Sequence, residues 1–120
     1  MNKYTELSDF EINKKVADLI GATPYPTGLT EYHRSAVCGM ENSIIIKSTR
    51  KVGAFDPCNN ASDAMPIIIE NKIAMNHPYD IWQCGSGWNV AKNKNPLRAA
   101  MEVFLMMKDA ENEKIRPYLL

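Results

Sequence analysis

The residues best suited to bind a ligand are two tryptophans on either side of a glycine-rich segment. Trp82 and Trp88 flank Gly85-Ser-Gly87, a pattern that predicts a β-hairpin. If the hairpin pairs the tryptophans closely, both rings lie on one face of the sheet, where exposed indoles can stack on a nucleobase or another ring. The alternative is that one or both rings belong to the core.

Three further side chains suggest an anion site near the middle of the chain. Arg50 lies beside Lys51 in a predicted turn, where two cations can meet a phosphate or simply face solvent. Asn59 and Asn60 precede a predicted helix, and the free N–H groups and dipole of a helix start favour negative charge. The same asparagines also suit ordinary helix capping.

A further cation, Arg98, stands at the start of the last predicted helix, which Asn95 and Pro96 signal. A cation in the first turn of a helix opposes the helix dipole, so Arg98 is expected to meet an anion. A carboxylate of this chain, Asp63 or Glu102, would supply one. The alternatives are an anionic ligand and a bond between subunits.

The segment from Ala22 to Glu41 is irregular by every local signal, because prolines and glycines interrupt it. Loops of this length in small domains are often functional. We expect it either to close over a bound ligand or to serve as a connector held down by its tyrosines. The side chains that would contact the ligand are Tyr25, Tyr32 and Arg34.

No recognised catalytic or metal-binding pattern is found in the sequence. Phosphate-loop, zinc-protease and serine-hydrolase motifs are absent. Cys38, Cys58 and Cys84 are an odd number at wide spacing, which indicates free, mostly buried thiols rather than disulfides or a metal clip. We therefore predict no catalytic residue, no metal, no cofactor and a protein that is not an enzyme. A Cys–His nucleophile pair is an arrangement that the residue types leave open.

The composition predicts a single globular domain over residues 1–120. Hydrophobic residues make up 45% of the chain and charged residues 23%, with fourteen cations against fourteen anions. Zero net charge disfavours a sequence-specific nucleic-acid-binding protein, which normally carries a basic surplus. No apolar run approaches the roughly 20 residues of a membrane span, and the N-terminus lacks a hydrophobic signal core. A cytoplasmic protein is expected.

Capping signals predict the first and last helices. Ser8 and Glu11 form a capping box, and Gly21 ends the first helix. The last helix is predicted from Leu97 to about Ala110 and is apolar nearly all round. Such a helix is either packed on several sides or contacts a second subunit, and we expect a homo-oligomer.

The stretch from Phe55 to Glu70 changes from a turn into a helix, which is expected to face the core with Met65, Ile68 and Ile69. Besides the tryptophan hairpin, strands are predicted at 43–48, 51–55 and 73–75. This order of elements predicts an α+β fold, a small sandwich with a mostly antiparallel sheet and about three helices.

Three groups of segments carry a family resemblance. They are Leu7-Ser-Asp-Phe-Glu-Ile-Asn-Lys14; Phe55-Asp-Pro-Cys-Asn-Asn60 with Ser62-Asp-Ala64 and Pro66-Ile-Ile68; and Asn95-Pro-Leu-Arg-Ala-Ala-Met101 with Phe104-Leu-Met106. In order and spacing they resemble the NinX-like family of small tailed-phage proteins, over most of the chain outside Ala22–Met40 and the tail. Met65 departs from the aromatic residue expected there, which weakens a stacking role at that position.

The resemblance implies a layout similar to small phage α-β-α sandwich domains. It also implies a phage accessory protein in the cytoplasm of the bacterial host, with no catalytic activity to carry over. Small accessory phage proteins of this kind often counter host defences. Some bind and sequester cyclic nucleotide immune signals, typically as oligomers with pockets at subunit junctions.

The predicted function is therefore non-enzymatic sequestration of a small nucleotide-like immune signal. Trp82 or Trp88 would stack on a base. The side chains expected to hold phosphates are Arg50, Asn59, Asn60 and Arg98. One alternative is an adaptor that modulates a host or phage protein through Phe10, the long loop or the tail, residues 111–120. Another is a small enzyme of nucleotide metabolism.

Overall fold

The computed structural model describes residues 2–115, and the side chains of residues 2–112. The described residues form three helices and two three-stranded antiparallel sheets. In chain order the elements are α1 (Asp9–Leu19), β1 (Thr23–Pro24), β2 (Ile44–Lys47), β3 (Val52–Phe55), α2 (Ala61–Glu70), β4 (Ala74–Asn76), β5 (Trp82–Ser86), β6 (Asn89–Asn93) and α3 (Pro96–Ile115). The predicted α+β class is confirmed, with the antiparallel strands divided between two sheets.

Helix α1 has the predicted Ser8 N-cap and the predicted glycine at its end, but only one of the two capping-box bonds is present, since the Glu11 carboxylate pairs with Lys14 at 3.1 Å. The Ser8 hydroxyl accepts a hydrogen bond from the Glu11 N–H at 3.1 Å. At the other end Gly21 has φ +79°, and the Ala22 N–H donates to the Ala17 carbonyl at 3.0 Å. This closing bond needs a residue in the left-handed region, which glycine adopts without a Cβ clash.

The first sheet, β1-β2-β3, turns one face inward. Ile44 pairs with Phe55 and Ile46 with Gly53, so these positions share a face of the sheet. Ile44, Ile46 and Phe55 are all buried. On the opposite face Val52 is 55% exposed. The tight connection between β2 and β3 leaves residues 48–51 at one end of this sheet.

Helix α2 faces the core with a slightly different stripe from the predicted one. Ala64, Ile67 and Ile68 are buried, whereas Ile69 is 67% exposed, so the prediction for Ile69 is wrong. Consecutive helical residues are about 100° apart, and a core-facing stripe centred on these three positions leaves the next residue outside. Pro66 lies inside the helix.

The second sheet, β4-β5-β6, contains the predicted hairpin with a different turn. Ser86 pairs with Asn89, so the two-residue turn is formed by Gly87 and Trp88, with Gly87 at φ +60°. Trp88 therefore belongs to the turn and not to a strand. Cys84 pairs with Ala91, and both are buried on the face that packs against α3.

Helix α3 is the centre of the fold and is longer than predicted. It packs against α1, α2, β5 and β6. Val103 is fully buried along with Met101, because neighbours of the same chain cover several sides of the helix. The apolar character of α3 is thus accounted for within one subunit and does not require an oligomer. Within residues 2–115, no helix is both long and apolar enough to cross a bilayer.

The expectation for the tail, residues 111–120, lies almost entirely outside the described side chains.

Candidate functional site

The asparagines and aspartates of the three segment groups form a polar network that joins the starts of the three helices. Asn13, fully buried in α1, donates through Nδ2 to the Asn42 carbonyl at 3.0 Å and to Asp56 Oδ1 at 2.7 Å. Its Oδ1 accepts the Cys58 N–H at 3.2 Å. One amide therefore holds α1 to the turn that precedes α2.

Asn59 and Asn95 extend this network to the start of α3. Asn59 donates through Nδ2 to Asp9 Oδ2 at 3.0 Å. Asn95 donates through Nδ2 to the Cys58 carbonyl at 2.6 Å and to Asn59 Oδ1 at 3.1 Å. The other side-chain atom, Asn95 Oδ1, accepts the Leu97 N–H at 3.0 Å, so Asn95 caps α3 as predicted and also ties it to the turn.

Arg98 is the best-connected side chain of the network. Its guanidinium donates to Asp9 at 2.6 Å and to Glu102 at 2.8 Å. It also donates to the carbonyls of Tyr4 at 2.9 Å and Leu7 at 2.7 Å. Burial lowers the pKa of Arg98, but hydrogen bonds to Asp9 and Glu102 outweigh it, and the pKa is raised. Arg98 thus stays charged and holds the N-terminal segment on α3.

These contacts revise the predicted roles of Arg98 and the two asparagines. The compensating anions of Arg98 are Glu102, as one alternative predicted, and Asp9. Asn60 caps α2 by accepting the Ser62 N–H at 2.9 Å. Every buried side-chain nitrogen and oxygen in the described part of the chain has a hydrogen-bond partner. We therefore remove Arg98, Asn59 and Asn60 from the candidate ligand site, because their polar groups already serve the fold.

A separate groove of about 540 Å³ lies where the end of α1, the β2–β3 turn, α2 and α3 meet. Phe55, Ile67 and Phe104 are buried at its base, while Leu19 and Ile20 remain exposed at its wall. The lining residues are Leu19, Ile20, Ser48, Thr49, Arg50, Lys51, Phe55, Ser62, Asp63, Pro66, Ile67, Glu70, Asn71, Phe104 and Lys108. Arg50 is the member of the predicted ligand set that lines this groove.

The ion pairs of the groove differ in how firmly they are fixed. Lys51 contacts Asp63 at 2.8 Å, and the Asp63 carboxylate, 5% exposed, also accepts the Asp56 N–H at 2.9 Å. By contrast, the ion pair of Arg50 with Glu70 joins side chains that are 55% and 59% exposed. Lys51 is therefore a structural cation, and Arg50 is one that can exchange its partner.

The turn that carries Arg50 is held by its own hydrogen bonds. The Ser48 N–H donates to the Lys51 carbonyl at 2.8 Å. The Ser48 hydroxyl accepts the N–H groups of Arg50 at 3.3 Å and Lys51 at 3.2 Å. Hydrogen bonds from backbone N–H groups to a serine side chain stabilise a tight turn. The backbone conformation of Thr49 and Arg50 is therefore set before any ligand binds.

The family described as Bacteriophage P22, NinX matches residues 3–108. The chain belongs to this family. The match spans all three segment groups, and the resemblance seen in them is confirmed. No curated protein and no solved structure matches the chain. Family membership establishes a NinX-like phage protein, and the segments that carried the resemblance are largely those of the polar network.

The two tryptophans of this NinX-family chain do not form a stacking platform. Trp82 pairs with Asn93 at the end of the hairpin remote from the turn. It lies edge-on to His77, with ring centroids 5.1 Å apart. Trp88 stands in the turn itself and is 100% exposed. The prediction that one face holds both rings is wrong, because the turn falls on Gly87 and Trp88 rather than on the glycine-rich segment as a whole.

The three candidate residues of the long loop also lie outside the groove. Tyr32 donates its hydroxyl to the Ala22 carbonyl at 2.9 Å. The Arg34 guanidinium lies over the Phe10 ring at 3.9 Å from its centroid. Tyr25 is partly exposed beside β1. The contacts of Tyr32 and Arg34 support the connector alternative, in which loop side chains hold the loop to the body.

The thiols show two different environments. Cys38 is exposed, while Cys58 and Cys84 are buried. Burial raises the pKa of the Cys84 thiol to about 11, and burial followed by the carboxylate of Asp9 raises that of Cys58 further. The described residues contain no group of three or more His, Cys, Asp or Glu able to hold a metal ion.

Sequence reasoning missed most of the groove. Its β2–β3 turn was marked by Arg50 and Lys51, but nothing in the sequence distinguished Phe104 and Lys108 from the other residues of the last helix. No local pattern reports that α3 passes beside this turn, since the two are about fifty residues apart in the chain.

Proposed function

We propose that this phage protein binds and sequesters a small nucleotide-like ligand in the groove between the β2–β3 turn, α2 and α3, and so counters a host defence signal in the cytoplasm of the infected cell. The observation that carries the proposal is the combination of an exchangeable arginine with apolar walls in one groove. Ligand pockets of roughly 300–1,000 Å³ commonly combine apolar walls with a few polar groups.

The anionic part of the ligand would bind Arg50. Exposed ion pairs contribute only about 0–1 kcal/mol, so displacing Glu70 from Arg50 has a small cost. A phosphate then accepts two parallel hydrogen bonds from the guanidinium. Lys108 is a second exchangeable cation, since its partner Glu111 is at 3.4 Å and 59% exposed.

The apolar part of the ligand would cover the exposed wall. Leu19 and Ile20 are 43% and 36% exposed although both are large aliphatic side chains. A nucleobase placed against them, over Pro66 and Phe104, would remove this apolar surface from water, which favours binding.

Binding without turnover is supported by the state of the groove hydroxyls. Ser48 Oγ serves the turn, and Ser62 Oγ donates to Asn60 Oδ1 at 2.6 Å. Each of these two serine hydroxyls has a structural partner rather than a neighbouring general base, which a serine nucleophile needs.

The test is a release assay. Purified protein is incubated with a panel of linear and cyclic nucleotides, freed of unbound material and heat-denatured, and the released species are chromatographed. An intact nucleotide supports sequestration, a changed one indicates an enzyme of nucleotide metabolism, and no retention contradicts the proposal.

Matched variants locate the site. Arg50→Gln and Lys108→Gln should each weaken retention, because each removes a groove cation. Lys92→Gln removes an exposed cation of β6 that does not line the groove and should leave retention unchanged. Equal loss in Lys92→Gln would mean that net charge, and not the groove, governs binding.

A second candidate function, a protein-binding adaptor, is favoured by the hairpin tip. Trp88 is fully exposed on a tight two-residue turn, and tryptophan is enriched among the residues that dominate protein interfaces. Phe10, the earlier candidate contact, is instead covered by Lys14 and Arg34. An adaptor predicts that Trp88→Ala abolishes capture of a partner by the folded protein, and unchanged capture would reject this surface.

A further inference from the structure

A second cavity, of about 590 Å³, lies on the other side of the β2–β3 turn from the groove. It is bounded by the first part of the long loop and by the end of β2. Its lining includes Thr23, Thr27, Leu29 and Lys47, together with Ser48 and Thr49. Ser48 and Thr49 also line the groove, so the same turn is a shared wall of both cavities.

The chemistry of the second cavity repeats that of the groove. Lys47 is an exposed cation at its edge, as Arg50 is in the groove. Leu29 is 40% exposed and supplies apolar surface, as Leu19 does across the turn. Thr27 adds a hydroxyl group, while the Thr23 hydroxyl donates to the Lys47 carbonyl at 3.5 Å and can still accept a hydrogen bond. Each side of the turn therefore offers apolar contact, hydroxyls and a cation.

The shared turn is suited to bind a group that passes from one cavity to the other. Its backbone is fixed by the hydrogen bonds of Ser48, so the turn has this conformation before a ligand binds. Thr49 and Arg50 at its tip are exposed. A guanidinium binds phosphate oxygens through parallel hydrogen bonds, and Thr49, the residue before Arg50, carries a hydroxyl that can donate one more.

We propose that the groove and the second cavity are two halves of one site for a dinucleotide, with the linking phosphate over Thr49 and Arg50 and one nucleoside on each side of the turn. This inference rests on the proposed function and assigns its ligand class. A mononucleotide would occupy only the groove. A dinucleotide should bind more tightly than a mononucleotide, because its second nucleoside is tethered to the first and contacts the second cavity at a high effective concentration.

The experiment is calorimetric titration of the intact protein with two probe sets. One contains the nucleoside 5′-monophosphates, and the other contains the matching 3′,5′-linked dinucleotides in linear and cyclic form. A dinucleotide should bind about ten-fold or more tightly than its mononucleotide. The result that overturns the inference is equal affinity for the two.

Substitutions in the loop assign the gain to the second cavity. Thr27→Trp fills that cavity, whereas Thr30→Trp adds the same ring at an exposed loop position outside it. Thr27→Trp should abolish the dinucleotide advantage and leave mononucleotide affinity unchanged, while Thr30→Trp should preserve both. Retention of the advantage in Thr27→Trp overturns the inference.

The two proposals fail in different ways. Mononucleotide binding without a dinucleotide advantage rejects the two-lobed site and leaves sequestration standing. Absence of binding by every member of both sets rejects both proposals.

Discussion

Replacing Arg98 by methionine should destabilise the fold far more than replacing Arg50, the exposed arginine of the groove. The change removes hydrogen bonds to Asp9, Glu102 and the carbonyls of Tyr4 and Leu7. It also leaves the Glu102 carboxylate, a residue 1% exposed, without its cation. Removing one partner of a buried ion pair costs about 3–5 kcal/mol.

Urea unfolding measures this loss. With a slope of about 2 kcal/mol per molar, a loss of about 4 kcal/mol moves the midpoint down by about 2 M. Arg98→Lys keeps the charge but not the planar fork and should lose less. Arg50→Met is the control, because its partner Glu70 is 59% exposed and such pairs contribute about 0–1 kcal/mol.

A double variant separates the ion pair from simple loss of packing. Arg98→Met with Glu102→Leu removes both charges, and replacing a buried pair by apolar residues is often close to neutral. The double variant should therefore be more stable than Arg98→Met alone. A loss below about 1 kcal/mol in Arg98→Met, or a double variant less stable than the single one, would refute the structural role. If Arg98→Met does not fold, Arg98→Lys against Arg50→Met gives the same comparison.

The remaining predictions concern the thiols and the groove. A thiol reagent at neutral pH should modify Cys38 in the folded protein and reach Cys58 and Cys84 only after denaturation, since the last two are buried; rapid modification of all three would contradict the packing. Burial raises the pKa of Cys84 from 9.0 in the unfolded chain to about 11 in the fold, so the protonated thiol stabilises the fold below pH 9 and this contribution is lost as the pH rises towards 11, by up to about 1.4 kcal/mol per pH unit. In urea unfolding, the free energy of unfolding of Cys84→Ala should therefore fall less steeply with pH between 9 and 11 than that of the unchanged protein. An equal slope would exclude the thiol as the cause of the pH dependence. Glu70→Gln removes the competitor of a bound phosphate at Arg50 and should raise the affinity for the nucleotide recovered in the release assay by up to about five-fold, as measured by calorimetry; a lowered affinity would mean that Glu70 contacts the ligand itself.

Much of the local structure was predictable because the interactions that set it span only a few residues. Ser8 and Asn95 cap helices through bonds to residues two or three positions away, and Gly21 ends α1 through its own backbone conformation. The β2–β3 hairpin is likewise a local pairing. Residue type and short spacing carry all of this information.

The sequence by itself thus determined the α+β class, the caps and the family, while tertiary structure decided what the polar residues do. Arg98 meets Asp9 across 89 positions of sequence, and Asn13 meets Cys58 across 45. Tertiary packing brings these pairs together. As a result Arg98, which was predicted to contact a ligand, stabilises the fold instead. The groove arises in the same way, because the end of α1 and the middle of α3, which are remote in sequence, converge on Arg50 and α2. Helix caps and tight turns depend on neighbouring residues, whereas burial and the choice of a distant partner depend on how the helices and sheets pack together.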